Sequence, residues 1–128
     1  MQNKNTAAKT CLFTVGLLYG IFGVMFISAP EKFAPSLGYT NIDLSAQIEI
    51  IAVYGGLEIA IALAVFWGLF KNNAKSAAYL CLISLLGFAG GRLIGISLHG
   101  LEGNHLSFLV LEIVLALMSF YSYRKLQT

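Results

Sequence analysis

Three ionisable residues stand within long runs that carry no other charge: Glu58, Arg92 and Glu112. An ionisable side chain at the centre of a membrane helix costs about 2.5–3.5 kcal/mol on the mildest insertion scale, so each must be paired, hydrated or in use. Counting from the ends of the runs at about 1.5 Å per residue puts Arg92 and Glu112 about 9 Å deep and Glu58 about 12 Å deep. The planar fork of an arginine meets a carboxylate at two points, so Arg92 is expected to pair with both Glu112 and Glu58. Tyr54 lies one helical turn before Glu58 and is placed to donate its hydroxyl to it. His99 stands seven residues beyond Arg92 and shares its helix face; His105, Glu112 and Ser119 share a face by the same spacing. Two acids against one base leave a negative charge, which must be protonated or reached by water. Such a set is suited to a proton- or cation-linked site or to a pocket for a polar head group. The competing reading is a structural knot that fixes helix register.

Other chemistry finds little support. No Ser–His–acid set, phosphate-cradling glycine loop or Cys-rich metal motif is present, so no catalytic residue and no cofactor is expected. His99, Glu102 and His105 are three residues apart and could form at most a weak metal set. Histidines bracketing a loop are more often exposed polar groups, and no metal is expected. A net charge of +2 with no basic cluster longer than two residues excludes a nucleic-acid binder.

The elements that must hold these residues are membrane helices. Of 128 residues 58% are apolar and only 11% charged, too few polar groups to coat a soluble domain. Four continuous runs, 11–29, 50–70, 76–98 and 106–123, match the roughly 20 residues that cross a bilayer. The expected fold is all-α: a single four-helix transmembrane domain over 1–128, running up-down-up-down because the connections are short. Lys4 and Lys9 before the first run suggest a secretion signal, but the run is long for one and Pro30 follows Ser28-Ala29, so a retained helix is expected. Lys4, Lys9, Lys71, Lys75, Arg124 and Lys125 fall on one side of this arrangement and Lys32 on the other. That asymmetry places both termini in the cytoplasm and speaks against dual topology. The first loop, PEKFAPSLGY, is expected along the outer interface, and Cys11 and Cys81 as free thiols packed like small apolar groups.

Helices in lipid associate through close backbone approach and polar contacts rather than through hydrophobicity. Gly16, Gly20 and Gly23 share one face of the first helix with Tyr19, and Gly87, Gly91 and Gly95 repeat at four-residue spacing on the third, with Gly90 beside them. Together with Gly55 and Gly56 these are expected to pack helices within the bundle. The alternative is a groove that receives another subunit or a flat ligand.

The stretches IEIIAVYGGLEIAIAL (48–63), GFAGGRLIGISLHG (87–100) and VLEIVLALMSF (110–120) resemble an uncharacterised family of small bacterial four-helix membrane proteins, a domain of unknown function. The likeness spans about positions 30–123 and is most specific at Tyr54-Gly55-Gly56-Leu57-Glu58, Gly91-Arg92 and Leu111-Glu112. Where the family has an acid followed two residues later by arginine, this chain has Glu49 and Ile51, and His99-Gly100 replaces an Asp-Gly. The resemblance implies a multi-pass protein of the bacterial inner membrane and no particular activity. The expected function is binding of a partner subunit, a second copy, a lipid or a small amphiphile at the polar cluster. The alternative is a small proton-coupled transporter working as an oligomer, and an enzyme acting on lipid-soluble substrates ranks third. Small multidrug exporters also have four short helices, but their membrane glutamate lies in the first helix, which here is uncharged.

Overall fold

A computed structural model describes residues 2–126; the side chains of residues 2–4, Lys4 included, lie outside the described residues. Four helices among those described are long and apolar enough to cross a membrane. The first, α1, is Gln2–Ser28 and begins nine residues ahead of the apolar run that announces it. The Thr10 and Thr14 hydroxyls donate to the carbonyls of Thr6 and Thr10 one turn earlier, which satisfies them within a helix that hydropathy alone would start later.

The second span is built in three parts, α3 (Leu44–Ile50), a π-helical stretch (Ile51–Leu57) and α4 (Glu58–Phe70). It starts six residues earlier than the apolar run, because Asp43 caps α3 by accepting from the Ala46 N–H at 2.7 Å. α5 is Ala74–His99 and α6 is His105–Lys125, each slightly longer than its apolar run. Asn72, at φ 57°, makes the left-handed turn between α4 and α5.

α1 packs against the π-helical stretch, α4 and α6, while α5 packs against α4 and α6. Leu12, Val15, Tyr19, Val65, Cys81, Leu85 and Leu115 form the centre of this core. At one end Ser122 Oγ donates to the Ala8 carbonyl at 2.9 Å, tying α6 to α1. Phe13, Leu17, Ile21, Val24, Leu63, Trp67, Ile83, Leu86, Ile113 and Leu117 point outward and are exposed. An apolar surface of that extent fits contact with lipid rather than water. Cys11 and Cys81 are free thiols, Cys81 buried and Cys11 partly so.

The loop after α1 forms a short helix, α2 (Pro30–Phe33), and a 3₁₀ turn over Ala34–Leu37 that ends on Gly38 at φ 91°. Ala34 and Leu37 turn inward to join Phe26 and Ile50 in a second core. The loop therefore plugs the end of the bundle instead of only lying along it. Gln47 Nε2 donates to Glu31 at 2.8 Å and fastens it to α3.

The glycines fall into two groups. A Cβ at Gly16 would stand 2.6 Å from Val65 Cγ1, and one at Gly55 would stand 2.6 Å from Ile27 Cγ1. At Gly23 the obstacle includes backbone, with the Gly55 carbonyl oxygen at 2.9 Å and the Ile59 nitrogen at 3.0 Å. Gly20 makes an ordinary contact with Ala62, and Gly56 meets little. Gly87, Gly90, Gly91 and Gly95 have nothing within 4 Å of where a Cβ would sit. Among the described residues the α5 stripe therefore faces open space, as the groove alternative expects, rather than a neighbouring helix at these positions.

Candidate functional site

The polar centre forms where α5 and α6 run side by side. Arg92 Nε donates to Glu112 at 3.0 and 3.2 Å and Nη2 donates to Glu112 Oε1 at 2.6 Å, a two-point ion pair. Arg92 Nη1 donates to His105 Nδ1 at 2.9 Å. A guanidinium has no acceptor, so this ring nitrogen offers its lone pair and the imidazole carries its proton on Nε2. The guanidinium carbon lies 5.2 Å from the centre of the Phe108 ring. Arg92 is thereby held by one carboxylate, one imidazole and one aromatic face.

The expected Arg92–Glu58 and Tyr54–Glu58 bonds do not form. Among the described residues Glu58 Oε2 is buried with no hydrogen-bond partner, as are the Tyr19 hydroxyl and Ser119 Oγ. The cause lies one turn upstream: Tyr54 sits in the π-helical stretch, whose i→i+5 bonding alters the angular offset between Tyr54 and Glu58 relative to a regular α-helix. On α5, Arg92 turns to α6, where Glu112, only 9% exposed, satisfies it on two atoms.

Two hollows adjoin this centre. The inner one, about 60 Å³, is lined by Tyr19, Phe22, Phe26, Tyr54, Glu58, Phe88, Arg92, Phe108 and Glu112, with Leu37 of the first loop among its walls. The outer one, about 430 Å³, is a half-open cleft floored by Gly87, Gly91 and Gly95 and walled by Tyr54, Phe88, Ile96, His99, Glu102 and His105. Tyr54, Phe88 and Arg92 border both. His99 is exposed in the cleft, and the position beside Arg92 belongs to His105. Among the described residues no group of three or more His, Cys, Asp or Glu side chains gathers as a metal site, so His99, Glu102 and His105 do not converge.

His105, Phe108 and Tyr19 are the site residues that spacing underplayed. The seven-residue interval from His105 to Glu112 carried the signal for the first, and the i, i+3 position beside Gly16 for Tyr19. Gly68 was not singled out at all, although a Cβ there would stand 2.7 Å from Ala77 Cβ and 3.0 Å from the Asn73 carbonyl.

The fold and the centre together define a class: an all-helical chain with four helices able to cross a membrane, compatible with a multi-pass membrane protein, and a polar core at one end. The chain belongs to the family described as Domain of unknown function (DUF4345), whose model matches residues 7–123 and so takes in the first helix as well. No curated protein and no solved structure matches it.

Proposed function

We propose that this is a small multi-pass protein of the bacterial inner membrane that binds a slender amphiphile, taken from the bilayer, in the cleft along α5. The observation that carries the reading is the cleft itself. Its floor is three glycines with nothing within 4 Å above them, and its volume of about 430 Å³ lies in the range of small-molecule sites. Its lining is graded, from Gly87 and Phe88 at one end to His99, Glu102 and His105 at the other. An acyl chain or flat ring would lie over the glycines, and a polar head would meet His99, Glu102 and the fixed guanidinium of Arg92.

Both termini are assigned to the cytoplasm. Lys9, Lys71, Lys75, Arg124 and Lys125 support this by their positions at span ends, and Lys75 Nζ stands 5.5 Å from the Tyr123 ring of α6. The short links at 71–73 and 100–104 support alternating helix directions. A second reading, proton-coupled transport by an oligomer, draws on Glu58, whose Oε2 lies buried without a partner.

The test is native mass spectrometry of the full chain extracted gently from its own membrane. The wild type should carry one amphiphile per chain, and Gly91→Leu, which fills the cleft, should arrive folded and bare. A bare wild-type dimer that Gly91→Leu turns into a monomer would assign the cleft to a neighbouring helix and sink the amphiphile reading. That rival is concrete, because α5 buries 17% of its span against 28–33% in the other three.

A further inference from the structure

The charges of this chain are sorted by end. Ser122 Oγ bonds to the Ala8 carbonyl, Gly68 lies against Ala77, and Ala8, Ala74, Ala77 and Leu126 share one buried cluster. The start of α1, the end of α4, the start of α5 and the end of α6 therefore meet. Lys9, Lys71, Lys75, Arg124 and Lys125 all stand at this end. No acidic side chain joins them, since positions 1–28, 59–101 and 113–128 contain neither Asp nor Glu. Glu58 and Glu112, the nearest acids along α4 and α6, are about 18 Å away at 1.5 Å per residue. Among the described residues the one ion pair is Arg92 with Glu112. The counterions of the basic end must come from outside the chain.

One of these cations adjoins an apolar furrow. Lys71 Nζ stands 5.1 Å from the centre of the Trp67 ring and 5.3 Å from that of Phe70. The same two rings, with Leu63, Ala64 and Phe66, line an open furrow along the outward face of α4. Leu63, Trp67 and Phe70 are exposed. The ring faces hold the ammonium beside the furrow, and an ammonium so held still has N–H donors for a phosphate oxygen. We propose that this furrow seats an anionic phospholipid, its acyl chain along Leu63, Ala64 and Trp67 and its phosphate on Lys71. A zwitterionic lipid brings the same phosphate, but its own cation meets an end crowded with lysines and lacking acids. Charge makes the selection, because an open furrow cannot choose by size. The seat lies on α4, at the end opposite His99 and Glu102, and does not rest on the amphiphile reading of the α5 cleft.

Trp67 is the only tryptophan of the chain, so its fluorescence reports on this seat. The full chain is reconstituted in vesicles of equal parts phosphatidylcholine and phosphatidylglycerol, with dibrominated acyl chains on one lipid or on the other. Bromine quenches the indole at close range, and the two quenching levels give the relative affinity of the lipids at Trp67. A preference of about fivefold for phosphatidylglycerol is expected, the weight of one lysine beside anionic lipid, and it should shrink at high salt. Lys71→Gln should bring the ratio to about one, while Lys71→Arg keeps the preference and Gly91→Leu leaves it unchanged. Lys71 is exposed, so its replacement leaves the core intact. Equal quenching by the two lipids in the wild type overturns the proposal. So does a preference that survives Lys71→Gln, which would belong to the basic end at large and not to this seat.

Discussion

Arg92→Leu should destabilise the folded chain by about 3–5 kcal/mol, the cost of breaking a buried ion pair from one side. The substitution strips Glu112 of its two-point contact at 2.6–3.2 Å, leaves His105 Nδ1 without its donor and removes the cation from the Phe108 ring. Glu112 is 9% exposed and turns into the bundle, so little water reaches it to compensate. The companion variant separates this cause from lost packing. Arg92→Leu with Glu112→Leu removes both charges together and should recover most of the loss, because replacing a buried pair with apolar side chains is often neutral or better. Equilibrium unfolding in mixed micelles, run as a double-mutant cycle, measures both. A single variant within about 0.5 kcal/mol of wild type, the range of an inert surface change, would show that the pair contributes nothing to the fold.

The second large effect comes from placing one substitution at two glycines. Gly23→Leu should lose more than about 3 kcal/mol or fail to fold, beyond the ordinary cost of overpacking. Its Cβ alone would press on the Gly55 carbonyl at 2.9 Å and the Ile59 nitrogen at 3.0 Å, and backbone cannot move aside as a side-chain tip can. Gly91→Leu adds the same atoms over open space. Helix propensity alone then favours the variant by up to about 1 kcal/mol, so it should fold as well as the wild type. Circular dichroism with thermal unfolding of the two purified variants decides the matter. Equal destabilisation would mean that α5 is packed against another helix after all.

These two glycines also show where reading the sequence stops. Gly16, Gly20 and Gly23 on α1 and Gly87, Gly91 and Gly95 on α5 have nearly the same spacing, and spacing is all that periodicity reports. Whether a stripe meets Val65 and Ile59 or open space is decided by which helices become neighbours, a property of the whole bundle. The spans themselves were legible, because twenty apolar residues in a row have few other uses. Their ends were less so: the Asp43 cap starts α3 ahead of its apolar run, and α1 begins in polar sequence at Gln2, beyond what hydropathy registers. At the centre, the reach of arginine suggested both carboxylates as partners, and depth along the helices could not choose between them. The π-helical stretch before Glu58 and the side-by-side packing of α5 with α6 made the choice, leaving Glu58 alone. The plugging loop was hidden for a related reason, since inward-facing Ala34 and Leu37 look like any interfacial residues until the end of the bundle exists to receive them.

The central claim is that the face of α5 bearing Gly87, Gly91 and Gly95 holds an amphiphile. Photolabelling tests it most directly: the full chain in lipid nanodiscs is irradiated with a diazirine-bearing acyl amphiphile, and the modified residues are mapped by peptide mass spectrometry. Label concentrated on Phe88, Ile96 and Tyr54, which border the cleft, and lost in Gly91→Leu, is the predicted result. Label spread evenly over outward residues such as Val24, Leu63 and Leu117, with Gly91→Leu making no difference, would contradict the account.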